Sequence, residues 1–195
     1  MTITDFAVHL LLGSILIVGG YQFYFWCQRN PLRPARELRL PLDDRIPFRP
    51  AWVWIYSLLY YPVILYTTWV VQSSREFVYL AVSFLGLLAM QMAFFLLFPV
   101  ATPESWRAIN GGRTWSERFL ALVQRLDARS NSFPSMHTSV ATLTALYLQP
   151  HVGTWAFAFP TVIGLSCLFT KQHYLVDLPA GAVLGVLAYQ IFGIA

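Results

Sequence analysis

Two histidine-containing segments near the C-terminal end of the chain carry residue types suited to phosphoryl chemistry. The first is 131–137 (Asn-Ser-Phe-Pro-Ser-Met-His) and the second is 171–177 (Lys-Gln-His-Tyr-Leu-Val-Asp). Each histidine lies at the edge of an apolar stretch, where a titratable group is costly and usually functional. A carboxylate four residues after His173 falls on the same helical face, where it can fix the imidazole tautomer and leave one nitrogen as a nucleophile. This spacing predicts a nucleophile, His173, oriented by Asp177, with a structural His–Asp pair as the alternative.

The residues before His137 predict a helix start that binds an anion. Asn131 or Ser132 is the predicted N-cap, and Pro134 fits the first turn, where its missing N–H costs nothing. The N–H groups of residues 135–137 would then face a bound phosphate at the positive end of the helix dipole. The alternative is a polar helix start with an interfacial histidine.

The elements that must position these residues are apolar segments long enough to cross a bilayer. Hydrophobic residues make up 57% of the chain and charged residues only 11%, against the ~25% charged of soluble proteins. Six apolar blocks predict six transmembrane helices, at 6–27, 51–71, 77–98, 136–148, 154–170 and 175–194. A turn-like sequence at 149–153 predicts a hairpin between the fourth and fifth. We therefore predict an all-α, polytopic membrane protein with a single domain over residues 1–195.

The loop between the third and fourth blocks has a predicted helix of its own. Thr114 and Glu117 have the spacing of a capping box. The apolar residues that then recur at helical spacing are Trp115, Phe119, Leu122 and Leu126. This pattern predicts an amphipathic helix in the membrane interface, with ordinary packing onto the bundle as the alternative.

Alternation of the loops places segments 28–50, 99–132 and 171–174 at one end of the bundle. Six arginines lie in the first of these loops and five in the second, while Arg75 alone lies at the other end. The positive-inside rule would put this end in the cytoplasm. Basic loops of a membrane protein more often meet lipid phosphates than nucleic acid.

The two histidine segments resemble the second and third signatures of the type 2 phosphatidic acid phosphatase (PAP2) superfamily. The matching residues are Pro134, Ser135, Met136 and His137, followed by Ser166, His173 and Asp177. The resemblance implies a six-helix membrane fold with an extracytoplasmic or luminal site, which we favour over the expectation from charge. It also implies that His173 attacks phosphorus, that Asp177 orients it and that His137 protonates the leaving oxygen.

Three departures from the commonest PAP2 pattern point to one branch of the superfamily. Met136 replaces a glycine, Cys167 replaces an arginine, and the usual first motif is absent, which leaves Arg107 as a candidate phosphate ligand. With the Asp43-Asp44 loop, these departures are similar to the branch that includes inositol phosphorylceramide synthases. They favour phosphotransfer between lipids as the alternative to hydrolysis.

The predicted function is an integral membrane lipid phosphatase that forms a phosphohistidine and needs no metal or cofactor. The alternative is transfer of the phosphoryl head group to a lipid or polyol hydroxyl. The predicted phosphate ligands are Lys171, Ser135 and Arg107, and the residues predicted to order loops or bind an acceptor are Asp43, Asp44, Asp127 and Asn131. The expected partners are membrane lipids and a lipid phosphate, without nucleic acid or an obligate protein partner.

Two other classes of function use the same residues. His137, His173 and Asp177 resemble a two-histidine, one-carboxylate metal site, which the neighbouring cations disfavour. A proton or substrate relay in a transporter would lie near the bilayer midplane, whereas these groups lie near one face. Cys27 and Cys167 form no spacing pattern and are interpreted as small apolar fillers. His9 and His151 fall at the other end and are predicted to be structural.

Overall fold

The computed structural model describes residues 2–193, and every regular element within that range is helical. The α-helices in chain order are α1 (Ile3–Arg29), α2 (Pro41–Arg45), α3 (Tyr60–Val70), α4 (Ser74–Leu97), α5 (Glu104–Ala108), α6 (Trp115–Leu126), α7 (Met136–Val152), α8 (Ala158–Phe169) and α9 (Asp177–Phe192). A 3₁₀ turn at Pro50–Trp52 and a π-helical turn at Ile55–Leu59 precede α3. A second 3₁₀ segment, Gly153–Phe157, joins α7 to α8.

Four helical stretches within residues 2–193 are long and apolar enough to cross a membrane. They are Ile3–Arg29, Pro50–Val70, Ser74–Leu97 and Met136–Phe169. The last one contains both α7 and α8, which pack against each other, so the chain reverses between them. Helix α9 is apolar but shorter. The protein is therefore an all-helical, multi-pass membrane protein.

The predicted end of the fourth apolar block at residue 148 is wrong. Helix α7 continues through Pro150 to Val152, and the reversal begins at Gly153. Pro150 lies in the last turn, where the loss of one N–H donor does not prevent the helix from continuing to Val152. Gly153 ends the helix because its φ of 66° is a left-handed conformation that favours glycine. The sixth block begins at Asp177 rather than residue 175, and its predicted end at 194 lies outside the described residues.

Helix α7 is the centre of the bundle and contacts α3, α4, α8 and α9. Its closest approach is to α9, where a Cβ on Gly181 would lie 2.4 Å from the main-chain oxygen of Ser135. A Cβ on Gly185 would meet the oxygen of Ser139 at the same distance. Glycine is therefore required at both positions, and the resulting contact brings the starts of α7 and α9 together.

The three loop segments predicted at one end of the bundle do contact one another. Arg36 donates its N–H to Pro99 O at 3.0 Å and accepts from Ala101 N at 2.9 Å. The hydroxyl of Tyr174 donates to Ala101 O at 2.7 Å. These hydrogen bonds join loops 30–49, 98–135 and 170–176 into one cap at the end of the bundle where both histidines lie.

Helix α6 begins at the predicted capping box, with reciprocal hydrogen bonds between Thr114 and Glu117. Its inner face buries Leu120 and Gln124. The apolar side chains that remain exposed on α6 are Trp115, Leu122 and Leu126. An apolar face that the protein does not cover is compatible with the interfacial position, which remains a prediction.

Candidate active site

His173 lies in the turn between α8 and α9, and Asp177 is the first residue of α9. The Nδ1 atom of His173 lies 3.2 Å from Oδ2 of Asp177 and 2.9 Å from the main-chain oxygen of Ser132. Because both neighbours are acceptors, Nδ1 carries the proton and Nε2 keeps its lone pair. The structure therefore holds His173 in the tautomer that a nucleophilic imidazole needs.

The predicted reason for this contact, a shared helical face, is wrong. Helix α8 ends at Phe169, Lys171 has a φ of 59°, and the chain turns before α9 begins. Tyr174 N–H donates to Asp177 Oδ2 at 2.9 Å, so the carboxylate closes the turn as well as holding the imidazole. A carboxylate beside the first turn of a helix is favoured by the free N–H groups and the dipole there.

Ser132 connects the two histidine segments. Its hydroxyl donates to Asp177 Oδ2 at 2.9 Å, and its main-chain oxygen accepts from His173. The predictions that Ser132 or Asn131 caps α7 and that Pro134 lies in its first turn are wrong, because Ser135 is the N-cap. The Ser132 hydroxyl donates to Asp177 instead of capping α7, because a fully buried carboxylate needs hydrogen-bond donors.

Ser135 also differs from the prediction at its main chain. Its N–H donates to the main-chain oxygen of Asp177 at 3.0 Å and is not free for an anion. Its Oγ accepts from Thr138 N at 3.3 Å and from Thr138 Oγ1 at 3.2 Å. The hydroxyl proton of Ser135 is the one donor that these contacts do not use, and the side chain is buried.

His137, in the first turn of α7, stands opposite His173. Their ring centroids are 5.8 Å apart. The His137 ring stacks on Tyr56, with centroids 4.1 Å apart and planes inclined by 25°, and it contacts Tyr60 at 5.1 Å. Two aromatic rings from the helical stretch before α4 therefore set its orientation.

Lys171 is buried beside the first loop. Its Nζ donates to the main-chain oxygen of Asp43 at 2.6 Å and lies 5.0 Å from the ring centre of Trp106. Burial lowers the pKa of Lys171, and the carboxylates of Asp44 and Asp43 partly oppose that effect. One of its three N–H donors is used by Asp43 O, so the predicted phosphate contact would use the others.

Asp43 links the first loop to the turn that carries His173. Its carboxylate accepts from Leu40 N at 2.7 Å and from Leu175 N at 2.8 Å, and the side chain is buried. Asp44 is exposed and pairs with Arg39 at 2.6 Å. The two neighbouring aspartates thus have different surroundings. Asp43 contacts the turn that carries His173, whereas Asp44 pairs with a residue of its own loop.

Arg107, Asp127 and Asn131 lie around the end of α6 and the loop before α7. Arg107 Nη1 donates to Gln124 O at 2.6 Å and to Asp127 O at 2.8 Å, and burial lowers its pKa. Its Nε and Nη2 are buried without a partner among residues 2–193. Asp127 accepts from Arg129 N at 3.1 Å, and Asn131 Nδ2 donates to the main-chain oxygen of Tyr24. These contacts hold the loop against α1.

The sequence interpretation missed the parts played by Ser132, Tyr56, Tyr60 and Cys167. Cys167 was interpreted as an apolar filler, but its Sγ and one ring nitrogen each of His137 and His173 all lie within 4.8 Å of one another. Its place in the usual arginine position of the third signature was the available signal. The tyrosines gave none, because their contact with His137 is long-range. His9 is buried against Phe77, and His151 is exposed.

The fold and this histidine pair define a class of membrane protein. The chain belongs to the PAP2 superfamily, whose family model matches residues 32–191 and so includes both histidine segments. It is similar to the inositol phosphorylceramide synthase catalytic subunit AUR1 of Saccharomyces cerevisiae (strain ATCC 204508 / S288c), with 33% identity over 89 residues. That match covers 41% of this chain and only 22% of AUR1. No solved structure matches. The resemblance inferred from the motifs is confirmed.

Proposed function

We propose that this protein is an integral membrane lipid phosphatase that hydrolyses a phosphate ester through a phosphohistidine at Nε2 of His173. The observation that carries the proposal is the double acceptor at Nδ1, from Asp177 Oδ2 and Ser132 O, which leaves Nε2 unprotonated opposite His137. Superfamily membership supports a phosphatase or phosphotransferase chemistry on a lipid.

In the first step the Nε2 lone pair forms a bond to phosphorus, and the ester P–O bond breaks. His137 gives a proton to the departing oxygen, and Asp177 balances the positive charge that develops on the His173 imidazole. In the second step His137 takes a proton from water, whose oxygen attacks phosphorus and releases phosphate and His173. The proposed steps use these side chains and water, without a metal ion.

The phosphoryl oxygens are proposed to contact Lys171, the Ser135 hydroxyl and Arg107. Lys171 is supported by its place in the same turn as His173. Arg107 is supported by Nε and Nη2, which have no partner among residues 2–193, whereas its Nη1 is bound to the end of α6. Asp43, Asp127 and Asn131 are proposed to order the loops, and Asp44 is the remaining candidate for contact with an acceptor.

The membrane arrangement is proposed to have six crossings in one domain. Helices α7 and α8 would each cross once, because Met136–Phe169 reverses at Gly153, and α9 would be the sixth crossing. Helix α6 would lie in the interface with Trp115, Leu122 and Leu126 toward lipid. We place the site on the extracytoplasmic or luminal face. The positive-inside rule gives the opposite face, but the arginines that it counts lie in the loops around the proposed phosphate site. Basic residues that serve to bind phosphate do not report the orientation of the protein in the membrane.

A second candidate function, phosphotransfer to a hydroxyl of a lipid or polyol, is favoured by the similarity to AUR1, whose name describes a synthase of inositol phosphorylceramide. The first step would be unchanged, and the acceptor hydroxyl would replace water in the second. The partners of either activity are membrane lipids and a lipid phosphate.

A lipid labelled in its phosphate group distinguishes these activities in purified protein. Label recovered as free phosphate supports the phosphatase, and label in a new ester supports the transferase. An acid-labile phosphoenzyme should be trapped in the wild type and in His9→Ala, a matched variant that removes a buried histidine at the other end of the bundle. His173→Ala should form none and should lose several orders of magnitude in rate. Normal turnover by His173→Ala would refute the mechanism.

A further inference from the structure

The cluster formed by His137, His173 and Cys167 has the donor set of a zinc site. One ring nitrogen of each histidine and the Cys167 Sγ lie within 4.8 Å of one another. Tetrahedral zinc with Zn–N near 2.1 Å and Zn–S near 2.3 Å needs ligand atoms about 3.3–3.8 Å apart. The three ligand atoms would therefore have to approach one another by about 1 Å to bind one ion. Two nitrogens and a sulfur select a borderline-soft metal over Mg²⁺ or Ca²⁺, which prefer oxygen.

The surroundings of His173 are those of a metal-binding histidine. Histidines that ligate zinc donate their other ring N–H to a carboxylate or carbonyl oxygen, which fixes the ring and the tautomer. His173 Nδ1 makes both contacts, to Asp177 and to Ser132 O, so Nε2 is the atom left for a metal. The same preparation that suits Nε2 to attack phosphorus suits it to bind zinc.

The charges of the site allow a dication despite the cations nearby. When zinc binds, the Cys167 thiol loses its proton to solvent, and the resulting thiolate and the Asp177 carboxylate together balance the two positive charges. Lys171 is engaged by Asp43 O and Trp106. His137 is partly exposed, whereas the other two members of the cluster are buried.

We infer that His137, His173 and Cys167 form an inhibitory zinc site, in which the metal occupies the two histidine nitrogens that the proposed phosphatase needs free. The inhibition rests on the proposed function, whereas metal binding does not. Cys167 stands where the commonest third signature has arginine, so the soft ligand distinguishes this chain from that signature.

The first experiment measures inhibition of chelator-treated protein by Zn²⁺, each variant being compared with its own uninhibited rate. Cys167→Ser keeps the shape of the side chain but replaces the soft ligand, and it should need at least about tenfold more Zn²⁺ for half-inhibition. Cys27→Ser is the matched control, because Cys27 is equally buried but lies outside the cluster. It should match the wild type, and Mg²⁺ should inhibit none of them. An equal response of both cysteine variants, or activation by Zn²⁺, would overturn the inference.

The second experiment measures metal binding without substrate. It therefore tests whether the metal site exists even if the chain has no phosphatase activity. Co²⁺ added to the wild type and to Cys27→Ser should give a thiolate-to-cobalt charge-transfer band. Cys167→Ser should not give that band, and His173→Ala should need more Co²⁺ to reach it. If the wild type shows no band, the site does not exist, whatever the result for turnover.

Discussion

Replacing Asp177 with Asn separates the charge of this side chain from its shape. Oδ2 accepts hydrogen bonds from His173 Nδ1, Ser132 Oγ and Tyr174 N. The asparagine oxygen must take the same place, because a reversed amide would present its NH₂ to three donors. The NH₂ group then occupies the position of Oδ1, which is buried and has no partner within residues 2–193.

The expected loss in rate follows from these contacts. A hydrogen bond to a charged group contributes about 1.5–3 kcal/mol and a neutral one about 0.5–1.5 kcal/mol, so about 1–1.5 kcal/mol is lost. That difference alone corresponds to about tenfold in rate. Because positive charge grows on His173 as the N–P bond forms, we expect kcat to fall by about 10–100-fold with KM little changed.

This loss is smaller than the ~10⁴-fold that the same change causes in a serine protease triad, where the histidine takes the wrong tautomer. Here Ser132 O also accepts from Nδ1, at 2.9 Å, and should preserve the tautomer. Asp177→Ala is different, because it leaves the Ser132 hydroxyl and the Tyr174 N–H without their acceptor. Each such group costs about 1–3 kcal/mol, so this variant should also unfold at lower temperature.

The assay compares kcat, KM and the thermal unfolding midpoint of both variants with the wild type, using a soluble aryl phosphate. A loss near 10⁴-fold for Asp177→Asn with unchanged unfolding would show that Ser132 O does not hold the tautomer. Unchanged kcat would show that the carboxylate charge has no part in the reaction. Either result would refute the reasoning from this geometry.

Three further predictions concern the residues around this pair. His137→Ala should lose about 10²–10⁴-fold on an alkyl phosphate but much less on nitrophenyl phosphate, whose leaving group needs no proton; equal losses would exclude a general acid. Lys171→Met should lower kcat/KM by about 10²-fold or more. Burial lowers the pKa of Lys171 below its usual 10.5, whereas an arginine at this position would stay protonated. The wild type should therefore lose activity at a lower alkaline pH than Lys171→Arg. Coincident pH profiles would contradict a role for the charge of Lys171. Asp43→Ala leaves two N–H groups without their acceptor, so the unfolding free energy should fall by about 1–3 kcal/mol for each of them that is buried. Asp44 is exposed, and Asp44→Asn should change the unfolding free energy by less than about 1 kcal/mol. Equal effects of the two variants would contradict the loop-ordering role of Asp43.

The helices could be predicted from sequence because their signals are local. Apolar length located α1 and α4 to within a few residues, and the Thr114–Glu117 spacing located the start of α6. The errors lie where one residue outweighs the pattern around it. Pro150 did not end α7, because its position in the last turn removes only one hydrogen bond, and Gly153 ended it instead.

The sequence by itself determined the chemistry of the site: two histidines and a carboxylate at the edges of apolar segments, in an order typical of one superfamily. Only the tertiary structure decided how these groups are held. The contact of α9 with α7 through Gly181 brings Asp177 beside Ser135, and the cap of loops brings Ser132 to the carboxylate. The packing of the bundle also places Cys167 near both histidines and stacks Tyr56 on His137. Spacing along the chain cannot predict such contacts, because they depend on which helix faces meet when the bundle packs.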